Sequence, residues 1–156
     1  MTSRFLPDET ATLALGAELA QRLSPGLVVY LCGDLGAGKT TLVRGVLRGL
    51  GFAGRVKSPT FTLVEAYKLS KLYLYHFDFY RFDRPTEFEA SGFAEYFTPD
   101  TVCLVEWPEK AGGLLPQPDL ALGFTVAAHG RDVTIEARGH KGERCESVLK
   151  SYGDSC

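Results

Sequence analysis

The residues best suited to chemistry are a lysine and a threonine that close a glycine-rich stretch at residues 33–40. The stretch reads GDLGAGKT and fits the phosphate-binding pattern GxxxxGK(S/T) at every fixed position. Its glycines allow positive φ angles, so successive backbone N–H groups can point at an anion. Lys39 can neutralise the outer phosphates, and the Thr40 hydroxyl is an oxygen ligand of the kind that Mg²⁺ prefers. The spacing predicts a phosphate and Mg²⁺ site.

Two acidic residues follow strand-like segments and are candidates for the metal site. Glu106 ends the apolar run at residues 102–105, and Asp78 ends a more alternating run at residues 72–78. Acids at the carboxyl ends of core strands lie next to a phosphate loop and hold Mg²⁺. The apolar run favours Glu106 as the metal ligand or as the base that orients water, with Asp78 in or beside the metal site. Each could instead be a strand-end side chain that meets solvent.

A polar loop supplies a third candidate group, Ser58 and Thr60 on either side of Pro59. In switch proteins a loop hydroxyl contacts the terminal phosphate and Mg²⁺ and is released after hydrolysis. An ordinary turn explains the same residues equally well.

The choice of base rests on an absence in the sequence. The chain contains no asparagine, so the NKxD element that reads guanine in common GTPases is missing. ATP is therefore the favoured nucleotide.

The segments around these residues predict how they are positioned. An apolar strand at residues 27–32 enters the loop and a helix at residues 41–50 leaves it, which is the strand–loop–helix setting of a phosphate site. A strand at residues 2–6 precedes a helix capped by Asp8 or Thr10. Two hairpins are expected, at residues 62–78 and 120–137, and a short strand at residues 101–105. These segments predict an α/β fold, a P-loop NTPase-like three-layer sandwich whose mixed sheet has a parallel core and antiparallel hairpins, with the strand order left open.

Length and composition place the chain among globular proteins. It has 156 residues and a formal net charge of −2, which gives no global electrostatic case for nucleic-acid binding. Its four cysteines form no CxxC pair, and neither a signal segment nor a membrane-spanning run is evident. We expect one domain at residues 1–138, a polar tail at residues 139–156 that is helical or frayed, and a cytoplasmic location.

The roles of several other residues have more than one interpretation. His76 and His129 are interpreted as structural or turn residues, and Arg131 as a phosphate contact or a solvated charge. Trp107, beside Glu106, packs at the core rim or contacts a partner. The aromatic-rich stretch at residues 79–97 is a candidate docking surface or ordinary core.

Four blocks together resemble the bacterial TsaE (YjeE) family. They are GDLGAGKTT at residues 33–41, VKSPTFTLV at 56–64, HFDFYR at 76–81 and LVEWP at 104–108. Their order and spacing match, and the resemblance extends from about residue 6 to residue 131.

The resemblance implies a small Mg²⁺-dependent ATPase, weakly active alone and stimulated by partners, that takes part in threonylcarbamoyladenosine modification of tRNA at the adenosine beside the anticodon. The implied partners are the TsaB and TsaD proteins, on which ATP would drive a switch, with tRNA contacted indirectly and no membrane involved. The implied nucleotide-binding residues are Glu9, Thr10, Leu35, Gly36, Ala37, Gly38, Lys39, Thr40, Thr41 and Arg131. The implied metal ligands are Thr40, Glu106 and Asp78, and the implied catalytic residues are Lys39, Asp78, Glu106, Ser58 and Thr60.

Two other functions fit the phosphate loop. A small phosphotransferase needs an acceptor pocket and usually an arginine-rich lid, and no arginine cluster follows residue 101. A non-catalytic nucleotide or RNA binder would use a patch of Arg44, Arg48, Arg55 and Lys57, which would give only salt-sensitive affinity.

Overall fold

A seven-stranded mixed sheet forms the centre of the structure, a computed structural model that describes residues 1–139, 141–143 and 146. The strands are β1 (Thr2–Leu6), β2 (Val28–Gly33), β3 (Val64–Lys68), β4 (Tyr73–Asp78), β5 (Thr101–Glu106), β6 (Leu120–Ala127) and β7 (Gly130–Ala137). The helices are α1 (Glu9–Ala20), α2 (Lys39–Gly49) and α3 (Thr86–Ser91), with 3₁₀ segments at Phe93–Tyr96 and Pro108–Leu114.

The strand order across the sheet is β1-β7-β6-β2-β5-β4-β3. Strand β2 lies between β6 and β5 and is parallel to both, and β4 is parallel to β5. The β3–β4 and β6–β7 hairpins and the β1–β7 pair are antiparallel. The predicted α/β fold with a parallel core and antiparallel hairpins is therefore confirmed, and the order that the sequence left open is now known.

Helices α1 and α2 cover one face of the sheet and pack closely against each other. The α1 helix begins where the Asp8 carboxylate accepts the Ala11 N–H at 2.8 Å, which selects Asp8 over Thr10 as the cap. At the crossing, a Cβ added to Gly16 would lie 2.4 Å from the Leu42 carbonyl oxygen, and one added to Gly45 would lie 2.3 Å from the Leu13 carbonyl oxygen. These glycines let the two helix backbones approach to near contact.

The opposite face of β4 and β5 is covered by a second, aromatic-rich cluster. Successive side chains of a strand point to opposite faces, so Leu104 joins the core under α1 and α2 while Val105 joins the aromatic cluster. Phe79, Phe82 and Phe88 are buried in that cluster, with the Phe79 and Phe82 rings stacked at 4.8 Å. Of the two interpretations of the stretch at residues 79–97, these three phenylalanines therefore fit ordinary core, whereas Tyr80 and Tyr96 are exposed.

Element boundaries differ slightly from those expected. Strand β3 starts at Val64 rather than at residue 62, because Leu63 has a positive φ of 71° that breaks the extended conformation. The predicted tail at residues 139–156 lies mostly outside the described residues, as do Cys145 and Cys156. None of the helices in the described part of the chain has the length and apolar character needed to cross a bilayer.

Candidate functional site

The loop between β2 and α2 has a backbone shape that requires glycine. Gly33, Gly36 and Gly38 have φ values of 140°, 78° and 111°, all in the region that L side chains rarely adopt. A Cβ on Gly33 would also lie 2.6 Å from the Phe124 carbonyl oxygen of β6. Gly38 directly precedes α2, so the loop ends at a helix N-terminus, where unpaired N–H groups and the helix dipole favour an anion.

Lys39 is buried at the start of α2 and is turned toward its own loop. Its Nζ donates to the Gly33 carbonyl oxygen at 2.5 Å and lies 4.1 Å from the centre of the Trp107 ring. Burial lowers the pKa of Lys39, and the nearby carboxylates of Glu106 and Asp78 partly oppose that shift. A phosphate group in the loop would offer this ammonium a stronger partner than a backbone carbonyl.

Asp78 and Glu106 meet because their strands are neighbours. They end β4 and β5, which are parallel, and they are paired in register across the two strands. Both carboxylates are buried, and the Thr40 hydroxyl donates to Glu106 Oε2 at 3.3 Å. Burial raises the pKa of Asp78, although the hydrogen bond from the Tyr80 N–H opposes the shift.

The loop that carries Ser58 and Thr60 is attached directly to Asp78. Thr60 Oγ1 lies 3.5 Å from Asp78 Oδ2 and 2.8 Å from Ser58 Oγ. The backbone adds a second connection, since the Asp78 N–H donates to the Leu63 carbonyl at 3.0 Å. Thr60 lines the groove formed with Lys39, Thr40, Asp78 and Glu106, whereas the exposed Ser58 reaches it only through Thr60.

The donor atoms in this groove suit Mg²⁺. Thr40, Glu106 and Asp78 offer only oxygen atoms, the ligands that this hard cation prefers together with water and phosphate. Among the residues that the structure describes, no cluster of three or more His, Cys, Asp and Glu side chains could hold a metal ion. The donor set therefore fits a magnesium ion that is shared with a phosphate ligand and does not fit a closed metal site made by the protein alone.

A cleft of about 240 Å³ continues from the phosphate loop toward the start of α1. The predicted nucleotide residues that line it are Glu9, Gly36, Gly38, Thr41 and Arg131. The Arg131 guanidinium donates to the Gly36 carbonyl at 3.2 Å, and Glu9 pairs with Arg44 at 3.4 Å. The structure thus brings the starts of α1 and β7 beside the phosphate loop.

Three other predicted nucleotide-binding residues do not line this cleft, namely Thr10, Leu35 and Ala37. Thr10 is exposed on α1, whereas Thr12, two residues further along the helix, is buried and lines the cleft. The Ala37 side chain is buried in the core, so only its backbone can face a ligand. Leu35 is exposed at the tip of the loop and borders the groove that holds Glu106.

His76 also contacts the site, although the sequence predicts only a structural role for it. It is fully buried, and its Nε2 lies 2.5 Å from Glu106 Oε2. The alternation of β4 already places Leu74, His76 and Asp78 on one face, and that pattern was the signal available in the sequence. The Trp107 contact with Lys39 could not be read from the pattern, since Trp107 follows the end of β5 with a positive φ of 55°.

The chain matches the family model described as "Threonylcarbamoyl adenosine biosynthesis protein TsaE" over residues 6–134. It is 41% identical over 154 residues to the tRNA threonylcarbamoyladenosine biosynthesis protein TsaE of Haemophilus influenzae, which covers 96% of this chain and 98% of that protein. The protein of the same description from Bacillus subtilis is 43% identical over 147 residues, with 92% and 90% covered. A crystal structure of Bacillus subtilis YdiB superposes with a TM-score of 0.82 at 34% identity and covers 97% of this chain and 95% of that one.

Proposed function

Because the chain belongs to the TsaE family of threonylcarbamoyladenosine biosynthesis proteins, we propose that it binds and hydrolyses ATP to drive a switch in that tRNA modification. The observation that carries the proposal is the meeting of four groups in one groove. The phosphate-loop residues Lys39 and Thr40 face Glu106 and Asp78 at the ends of two parallel strands. A strand-end acid that holds Mg²⁺ beside a phosphate loop is the arrangement found in P-loop proteins that hydrolyse nucleotides.

Nucleotide binding would use the loop backbone and the cleft beside it. The glycine-shaped loop presents N–H groups to the phosphates at the N-terminus of α2. Lys39 would exchange the Gly33 carbonyl for phosphate oxygens, which are its stronger partners. Glu9, Thr12 and Arg131 would contact the rest of the nucleotide in the adjoining cleft.

Hydrolysis would depend on the two acids and on Thr40. A bound Mg²⁺ supplies charge neutralisation at the phosphates, and Thr40, Glu106 and Asp78 are the residues that would hold it. Glu106 would also orient the attacking water, since its carboxylate is fixed by hydrogen bonds inside the groove. The described residues that line this groove include one cation, Lys39, and no arginine. We therefore expect weak turnover by the isolated protein.

The switch itself would use the loop at residues 58–60 and partner proteins. Since Thr60 contacts Asp78 directly, loss of the terminal phosphate would change the surroundings of that loop. The partners that we propose are the TsaB and TsaD proteins of the same pathway, in the cytoplasm, with tRNA contacted through them.

The test is ATP turnover measured with and without TsaB and TsaD. We expect low turnover alone and a clear rise with both partners. Lys39→Ala should lose nucleotide binding, because the phosphates lose their charged partner. Glu106→Gln should retain ATP but not hydrolyse it, because the amide keeps the size of the side chain and removes its charge.

Two outcomes would contradict the proposal. Transfer of phosphate to a small-molecule acceptor would identify a phosphotransferase instead of a switch. Normal hydrolysis by Glu106→Gln would remove the role given to that carboxylate.

A further inference from the structure

His76 occupies a position in β4 where an apolar residue would be expected. It is paired in register with Leu104 of β5 and follows Leu74 on the face that α1 and α2 cover. Its side chain is fully buried. Burying an imidazole among leucines costs free energy unless its polar atoms find partners, so the contact it makes needs an explanation.

That contact is with the groove carboxylate. His76 Nε2 lies 2.5 Å from Glu106 Oε2, and an ionised carboxylate oxygen can only accept, so the hydrogen lies on Nε2. No described residue is a partner for Nδ1. A ring with its one hydrogen on Nε2 leaves only a lone pair unsatisfied at Nδ1, whereas a hydrogen at Nδ1 would be a buried donor without an acceptor.

We propose that His76 is a positioning residue that fixes the Glu106 carboxylate for ATP hydrolysis. The inference rests on the proposed function and extends it to a residue outside the phosphate loop. His76 and Thr40 both donate to Oε2 of Glu106, at 2.5 and 3.3 Å, so neither donor engages Oε1. The two donors hold the carboxylate by one oxygen, which leaves the other oxygen for Mg²⁺ or for water.

The needs of the buried Glu106 carboxylate favour a positioning role for His76 over a packing role. Glu106 is a buried carboxylate, which needs donors to offset the loss of water. When the nucleotide is bound, the Thr40 oxygen would offer a lone pair to Mg²⁺, so the direction of its O–H, which now contacts Glu106 at 3.3 Å, would be set by the metal. His76 makes the shorter of the two contacts, at 2.5 Å, and binds no metal, so it is the donor that fixes the carboxylate orientation independently of Mg²⁺.

Two nearly isosteric variants separate donation from packing. His76→Gln keeps an N–H donor at a similar reach, and His76→Met fills the same space without one. For His76→Met we expect kcat for ATP, measured with TsaB and TsaD, to fall about 10- to 100-fold, the range seen when partners of metal-site carboxylates are removed. The dissociation constant for ATP without Mg²⁺ should stay unchanged. His76→Gln should keep most of the rate.

Leu74→Met is the matched control, because Leu74 lies two residues earlier on the same face of β4 and is equally buried. A leucine-to-methionine change conserves volume and is well tolerated in cores. Its kcat should equal that of the wild type. Melting temperatures of all three variants report any loss of folding.

A second readout uses the protein without nucleotide. The chain has three histidines, so long-range ¹H–¹⁵N correlation spectra of the side chains are simple, and His76→Gln identifies the His76 signals by their loss. We expect the His76 ring to carry its hydrogen on Nε2. A hydrogen on Nδ1 alone would overturn the inference.

The kinetic outcomes are also decisive. Wild-type turnover by His76→Met, or equal losses in His76→Met and His76→Gln, would show that donation to Glu106 is unimportant. An absence of ATP turnover by the wild type with both partners would instead contradict the proposed function, while the spectra would still test the hydrogen bond itself.

Discussion

Replacement of Gly16 by alanine should destabilise the protein, although alanine is the better helix former. Gly16 lies inside α1 at the crossing with α2. The added Cβ would lie 2.4 Å from the Leu42 carbonyl oxygen and 2.8 Å from the Val46 amide nitrogen. These are backbone atoms of α2, so no side-chain rotation can relieve the contact, and the helices must separate.

Two opposing effects determine how much unfolding free energy Gly16→Ala loses. Alanine in a helix interior is favoured over glycine by about 1 kcal/mol. Forcing an extra methyl group into a packed interior costs typically about 1–3 kcal/mol, and two backbone contacts place this site at the upper end of that range. The net loss in unfolding free energy should therefore be about 1–2 kcal/mol. For a chain of this size that lowers the melting temperature by roughly 2–8 °C.

Thermal and urea unfolding of Gly16→Ala would measure this loss. Gly113→Ala is the control, because an added Cβ there meets nothing within 4 Å. Gly45→Ala should act in the same direction, since its Cβ would lie 2.3 Å from the Leu13 carbonyl oxygen. The double variant should lose less than the sum, because one separation of the helices relieves both contacts. A Gly16→Ala protein as stable as the wild type would refute the reasoning.

Three further perturbations have definite expected results. Glu18→Gln should lower the unfolding free energy by about 1 kcal/mol in urea titrations, because Arg4 of β1 donates to both carboxylate oxygens, at 2.7 and 3.1 Å; an unchanged midpoint would contradict this. Burial raises the pKa of the Cys103 thiol to about 12, so iodoacetamide at pH 8 should modify it only in the unfolded chain, as peptide mass spectrometry can show. Gly33→Ala should weaken ATP binding about tenfold or more by calorimetry, because the new Cβ would strain the loop and meet the Phe124 carbonyl; unchanged affinity would argue against the required loop shape.

Local patterns in the sequence were sufficient for most of the elements. The apolar run before residue 33 and the glycines after it predict the strand, loop and helix of the phosphate site, and the observed α2 starts only two residues earlier than expected. The hairpins followed from alternation interrupted by short polar links. Asp8 was one of two candidate caps, and its hydrogen bond to the Ala11 N–H decides between them.

Long-range neighbours could not be predicted in this way. Strand β2 lies between β5 and β6. This order depends on the pairing of segments that are distant in sequence, and no local pattern encodes such pairing. The 2.5 Å contact of His76 with Glu106 depends on the register of β4 against β5. Phe79 and Phe82 follow the end of a strand, where periodicity stops, so their burial could not be separated from exposure.

The pairing of β1 with β7 has a consequence for the order of folding. Leu6 and Arg131 are register partners in that pair, and both line the cleft beside the phosphate loop. Contacts between segments so far apart in sequence close large loops and tend to form slowly. A chain whose phosphate loop has folded but whose terminal strands are unpaired would lack one wall of the cleft. A ligand stabilises only the state that binds it, by about 2.7 kcal/mol at a hundred times its dissociation constant. Bound nucleotide should therefore stabilise the pairing of β1 with β7.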